Sequence, residues 1–127
     1  MSKFLTEEWA KDVTTALGNH EGFKNAIGAA DLSAQFVTQE GPDGDISFYL
    51  KAAGGTVNQA IGTIDDPDVT VTMSYGTATE VSKGELNVQT AFMTGKIKVA
   101  GNLAKLMMHQ AALQQWAAVG TSLDVDY

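Results

Sequence analysis

From residue 30 to residue 61 the apolar side chains fall on every second position, and this change of period constrains the fold more than any other feature of the chain. Leu32, Ala34 and Phe36 alternate with Ser33, Gln35 and Val37. Ile46, Phe48 and Leu50 then alternate with Ser47, Tyr49 and Lys51, and Val57, Gln59 and Ile61 continue the pattern. A period of two puts each set on one face of a pleated strand. Gly41-Pro42-Asp43-Gly44-Asp45 and Ala53-Gly54-Gly55 supply turn chemistry between the runs. The pattern predicts two successive hairpins, an antiparallel meander with one apolar face that some other layer must cover.

The chain before and after the meander supplies that layer. Thr6 is placed as an N-cap, with Glu7 and Glu8 in the first turn where the helix dipole favours acids. Leu5, Trp9, Val13 and Leu17 recur at helical spacing until Gly18-Asn19, and a second short helix over residues 20–27 carries Phe23 and Ile27 on one side. Beyond the acidic turn Asp65-Asp66-Pro67-Asp68, a fourth strand runs from Val69 to Ser74 with its valines and Met73 on one face. Tyr75-Gly76 breaks it, and Thr77 with Glu80 has the pattern of a capping box for a short helix ending at Gly84. Another short helix precedes Gly95, residues 96–100 form a fifth strand, and Asn102 caps a last helix over residues 103 to about 118. The tail from Thr121 to Tyr127 has little pattern and is expected to fray.

Periodicity thus predicts a two-layer α+β fold: a five-stranded, mainly antiparallel sheet with helices over one face, in a single domain spanning residues 1–127. Charge limits its partners. The formal net charge is −7, so the long-range field repels nucleic acid and anionic membrane. All the basic residues are lysines, so the planar fork that grips carboxylate or phosphate through paired hydrogen bonds is missing. The absence of cysteine removes disulfides and thiolate chemistry and suits a reducing compartment. The N-terminal residues carry acids where a signal peptide needs an apolar core, and no apolar run has the length of a membrane span. A cytoplasmic protein is the expectation.

Few motifs carry chemistry. The pair Gly95-Lys96 tempts a phosphate-loop reading, but Thr90 and Ile97 occupy the positions where such a loop needs glycine and a hydroxyl. Lys96 and Lys98 read instead as the solvated face of a half-buried strand. His20 and His109 have no partner at ligand spacing, so no metal and no cofactor is expected. The last helix is more informative. Leu103, Leu106, Met107, Ala111, Leu113 and Ala117 make one apolar face, and Gln110 and Gln114 fall near its middle. Two readings stand: satisfied amides in an ordinary core, or amides on a cavity wall that meet the polar end of a ligand. Met73, Met93, Met107 and Met108, with Phe92, fit either a packed core or an adaptable apolar cavity.

The segment from about 68 to 107 resembles the sterol carrier protein type 2 family, the non-specific lipid-transfer proteins. The resemblance rests on the strand Asp68 to Ser74, on Gly84-x-Leu86-Asn87, on Ala91-Phe92-x-x-Gly95-Lys96-Ile97-Lys98, and on Gly101-Asn102 before the final helix. It implies a five-stranded sheet covered on one side by helices, with a hydrophobic tunnel between the layers. It also implies binding of fatty acids, acyl-CoA esters, sterols or other lipids, generally without catalysis. Phe92, Ile97 and Val99 would then face the tunnel and Lys96 and Lys98 the solvent. The tail Val125-Asp126-Tyr127 is not a peroxisomal signal, so that location does not carry over.

Together these readings make the chain a non-enzymatic binder or carrier of a hydrophobic small molecule or lipid of the fatty-acid, isoprenoid or sterol-like kind. The expected lining is Phe48, Leu50, Met73, Val81, Phe92, Ile97, Val99, Leu103, Leu106 and Met107, with Gln110 and Gln114 at the polar end. Two alternatives stay open. One is an enzyme acting on a lipid or polyketide-like substrate in the same pocket, with Tyr75, His109 or an acid as proton donor. The other is an accessory module that presents lipid to a partner enzyme, as in isoprenoid-quinone metabolism; transient contact with a membrane or a partner enzyme fits the carrier reading as well.

Overall fold

A computed structural model describes residues 2–28, 31–42 and 44–126. In chain order the elements are β1 (Ser2–Lys3), α1 (Glu7–Gly18), α2 (Glu21–Ile27), β2 (Leu32–Gly41), β3 (Gly44–Ala53), β4 (Thr56–Ile61) and β5 (Val69–Ser74). They continue with α3 (Tyr75–Ser82), α4 (Val88–Met93), β6 (Ile97–Gly101), α5 (Leu103–Met108), α6 (Gln110–Ser122) and β7 (Val125–Asp126). Asp43, in the expected turn at 41–45, lies outside the described residues, as do Ala29 and Ala30 before β2 and Tyr127 of the tail.

Alternation builds the expected five-stranded sheet, in the order β4-β3-β2-β5-β6. Three neighbouring pairs are antiparallel and the central pair, β2 with β5, is parallel. Register lines up the apolar positions in rows across the strands. One row runs Ile61, Phe48, Phe36, Val71, Val99; the next runs Gln59, Leu50, Ala34, Val69, Gly101. The helices cover this face. Trp9, Val13 and Leu17 of α1 are buried, as are Phe23 and Ile27 of α2, so both amphipathic stripes end in the core.

Local chemistry fixes the helix starts. Thr6 Oγ1 accepts from the Trp9 N–H, and Asn102 Oδ1 accepts from the Lys105 N–H. His20 caps α2 by accepting the Phe23 N–H at Nδ1, a role its isolation in sequence concealed. α1 also guards the sheet's edge. The Thr14 hydroxyl accepts the Gln59 N–H at 2.8 Å and lies 3.1 Å from the Gln59 carbonyl, occupying the outward-facing groups of edge strand β4.

The structure departs from the sequence reading in four places. First, the outer face of the sheet is not wholly wet. Residues 62–68 cross it, and Gln35 is buried beneath them, donating to the Phe48 and Gly62 carbonyls and accepting from the Ile64 N–H. Second, α3 starts at Tyr75, because Ser74 rather than Thr77 is the cap: the Thr77 N–H donates to Ser74 Oγ. Third, the last helix is two helices, interrupted at His109 (φ −109°, ψ 24°). α5 is tied toward the sheet by the Lys105–Asp68 ion pair at 2.9 Å, while α6 packs against α2. Fourth, the tail is docked, since β7 pairs in parallel with β1 and the Phe4 N–H donates to the Asp126 carbonyl.

Candidate ligand cavity between sheet and helices

The layers do not close on each other everywhere. Between the inner face of the sheet and α1, α3, α4, α5 and α6 lies a cavity of about 660 Å³. From the sheet, Phe48, Met73, Ile97 and Val99 reach it, as the alternation of their strands requires. From the helices, Val81 of α3, Phe92 of α4, Leu103, Leu106 and Met107 of α5, and Gln110 and Gln114 of α6 also line it.

Leu50 is the residue of the expected lining that the structure does not bring to the cavity. It stands opposite Gln59 in the row alongside α1 and is packed into the core at 2% exposure. Ala111 is exposed and likewise outside the lining. The proton donors considered for an enzyme, Tyr75 and His109, lie outside the lining.

Aromatic rings floor the cavity. Phe36 and Phe48 stack at 4.8 Å and 4°, Trp9 meets Phe48 edge-on at 5.1 Å, and Trp116 stacks on Phe36 at 5.0 Å. Gln59 belongs to this floor. It is 2% exposed, it lines the cavity, and its Oε1 accepts the Trp116 indole N–H at 2.8 Å. Sequence reasoning missed Trp9, Phe36, Gln59 and Trp116 as lining. The signal for Gln59 was present: an amide held the inward position between Val57 and Ile61. Trp116 was hidden by treating residues 103 to about 118 as one continuous helix.

The opposite side is open and apolar. Phe92 and Leu103 are each 46% exposed, Met107 is 66% exposed, and Met93 beside them is more exposed still. They form a rim built by α4 and α5, and α5 carries no fully buried residue.

None of the described lining residues carries a charge. Their polar groups are neutral amides, hydroxyls and indoles, including Asn87, Gln89, Ser82, Thr121 and Trp9. Such a wall offers dispersion contacts and hydrogen bonds to an uncharged group, but nothing to neutralise an ionised one. Among the described residues no helix is long and apolar enough to cross a membrane.

A model described as the SCP-2 sterol transfer family matches residues 27–114. Sterol carrier protein 2 of Gallus gallus is 30% identical over 76 residues, which cover 59% of this chain and 14% of that protein; the chain thus corresponds to a small part of that relative. Among solved structures, a crystal structure of sterol carrier protein 2 superposes with a TM-score of 0.82 at 21% identity, over 96% of this chain and 100% of that one. The solution structure of the sterol carrier protein domain 2 of Helicoverpa armigera gives a TM-score of 0.70 at 31% identity, over 91% and 90% of the two chains.

Proposed function

The chain belongs to the SCP-2 sterol transfer family, a family of lipid-binding and lipid-transfer domains that are generally non-enzymatic, and from that premise we propose that it binds and carries single-chain hydrophobic molecules such as fatty acids or isoprenoid lipids. The observation that carries this reading is the cavity itself: about 660 Å³ walled by the inward faces of both layers, with no charged side chain among its described lining. Each methylene moved from water into such a space gains about 0.8 kcal/mol, so a long chain supplies its own driving force without a charged clamp. The ligand-contacting residues are those of the sheet floor with Phe92, Leu106 and Met107, and the exposed α4–α5 rim is the entrance. An apolar rim also suits brief contact with the membrane or partner enzyme that gives up the lipid.

Titration of a long-chain fatty acid against the purified protein tests the reading. Binding to the folded state alone raises the melting temperature in proportion to the logarithm of ligand excess. Absence of any shift both with the fatty acid and with an uncharged lipid of equal chain length, each well above micromolar, overturns it. Native mass spectrometry of protein purified without detergent then identifies the class of any retained lipid.

A further inference from the structure

Two hydrogen-bond donors at the floor of the cavity have no acceptor. Among the described residues, Gln59 Nε2 and Trp9 Nε1 are buried side-chain nitrogens without a partner, and both residues line the cavity. The identity of the Gln59 atoms follows from chemistry. An indole N–H only donates, so the amide atom 2.8 Å from Trp116 Nε1 is the oxygen and the free arm is the NH2 group. That arm is held in place from both ends. The Gln59 N–H donates to Thr14 Oγ1 at 2.8 Å, and Trp116 is stacked on Phe36 at 5.0 Å.

An unpartnered donor buried in an apolar floor costs about 1–3 kcal/mol, a cost that a hydrogen-bonding guest removes once the side chains now covering the nitrogen move aside to admit it. Both free groups are donors, so the guest must bring an acceptor. No cation stands among the described lining residues, and burying a carboxylate there without one costs several kcal/mol. A carbonyl oxygen of a ketone, aldehyde or ester meets both conditions, since it accepts through two lone pairs and carries no charge.

We propose that the cavity takes its ligand polar end first, and that Gln59 Nε2, with Trp9 Nε1 as a second donor, binds an uncharged carbonyl oxygen at the aromatic floor. This rests on the lipid-binding reading above and reverses the polarity expected from Gln110 and Gln114. The hydrocarbon tail then runs outward past Leu106 to the rim at Met107.

The test compares a long-chain methyl ketone with the n-alkane and the fatty acid of equal chain length. Affinities come from displacement of a fluorescent lipid reporter, and side-chain signals from 15N–1H spectra of the wild-type protein. The ketone is expected to bind about fivefold to tenfold more tightly than the alkane, the yield of one net hydrogen bond. Ketone, and not alkane, should shift the Gln59 side-chain NH2 and Trp9 indole resonances. In Gln59→Leu the advantage of ketone over alkane should shrink to what the Trp9 indole alone supplies; because Trp116 loses its acceptor there, the wild-type spectra decide the matter if that variant does not fold. Equal affinities and equal spectral shifts for ketone and alkane overturn the polar-first arrangement while leaving the carrier reading intact. A fatty acid that, at neutral pH, binds more tightly than the ketone and shifts the Gln59 resonances equally overturns the restriction to uncharged heads. Failure of all three to bind overturns both readings.

Discussion

Ser33 and Asp68 exchange hydrogen bonds where the central parallel pairing begins: the Ser33 N–H donates to Asp68 Oδ2 at 2.8 Å, and the Asp68 N–H donates to Ser33 Oγ at 2.9 Å. The same aspartate receives the Lys105 ammonium at 2.9 Å and, through its carbonyl, the Asn102 N–H at 2.7 Å. One residue therefore joins β2, β5 and the start of α5, the helix that carries the rim. Asp68→Ala removes the carboxylate and leaves the Ser33 N–H unpaired. Hydrogen bonds to charged groups contribute about 1.5–3 kcal/mol, so a loss of that order in urea denaturation is expected.

Acid should reproduce part of that loss. Burial raises the Asp68 pKa, but the Lys105 ammonium and the Ser33 donors outweigh it and hold the carboxyl below the usual aspartate range. A group with a lowered folded pKa binds fewer protons in the folded than in the unfolded state, so its stabilisation is complete above the ordinary value. It disappears as pH falls through the lowered one. The urea midpoint of the wild type should therefore drop more steeply below about pH 4 than that of Asp68→Asn, which has no proton to gain there. Parallel slopes for the two proteins count against the assignment.

Gly101, at the end of β6, tests the same junction from the other side. Its φ is +107°, and a Cβ built there lies 2.5 Å from the Asp68 carbonyl oxygen and 3.0 Å from Val69 Cα. Both obstacles are backbone, which cannot rotate away. Gly101→Ala is expected to destabilise by roughly 2–4 kcal/mol, through backbone strain and through separation of β6 from β5. Calorimetric melting measures it, and a change under 1 kcal/mol (of the size common at open surface sites, about 0.5 kcal/mol) means the strand end relaxes freely.

Much of this was legible in the chain, for identifiable reasons. Alternation at Leu32, Phe36, Phe48 and Val71 records which face of a strand is covered, and register then carries that face across the sheet. The Gly84 and Gly95 positions, read as stops, both have positive φ, which is what a side-chain-free residue supplies. The docking of Val125–Asp126 on Ser2–Lys3 left no trace, because a two-residue pairing is too short to have a period. Nor did the interruption at His109, which no glycine or proline marks. Gln59 was visible as an inward amide, but its meaning depended on Trp116, a neighbour distant in sequence.

Thr14 is a small residue with two duties on one hydroxyl. It accepts the Gln59 N–H at 2.8 Å and shares its proton between the Ala10 and Gln59 carbonyls, at 2.9 and 3.1 Å. Thr14→Val keeps the shape and removes the acceptor, leaving a buried N–H on the edge strand. The expected cost is about 1–3 kcal/mol by denaturant titration. Hydrogen exchange at the Gln59 amide should quicken more than at the Leu50 amide in the neighbouring strand. Equal changes at both positions mean that the loss is global and the hydroxyl has no special hold on β4.

Leu106 separates the cavity's contribution from that of the core. It lies on α5, where no residue is fully buried, and it packs only partly buried against the core, so an apolar exchange there should leave the fold intact. It nevertheless lines the cavity, opposite the sheet. Leu106→Trp places an indole in the space a hydrocarbon tail needs, with room to lean toward the open rim. Stability should change by less than about 1.5 kcal/mol, as for tolerated apolar exchanges. Loss of space for two or more methylenes should weaken lipid binding at least about tenfold, at about 0.8 kcal/mol for each. Displacement of a fluorescent fatty acid reads the affinity, and circular dichroism melts read the fold. Unchanged affinity in a folded variant removes Leu106 from the ligand's path and moves the tail to the Phe92 side of the rim.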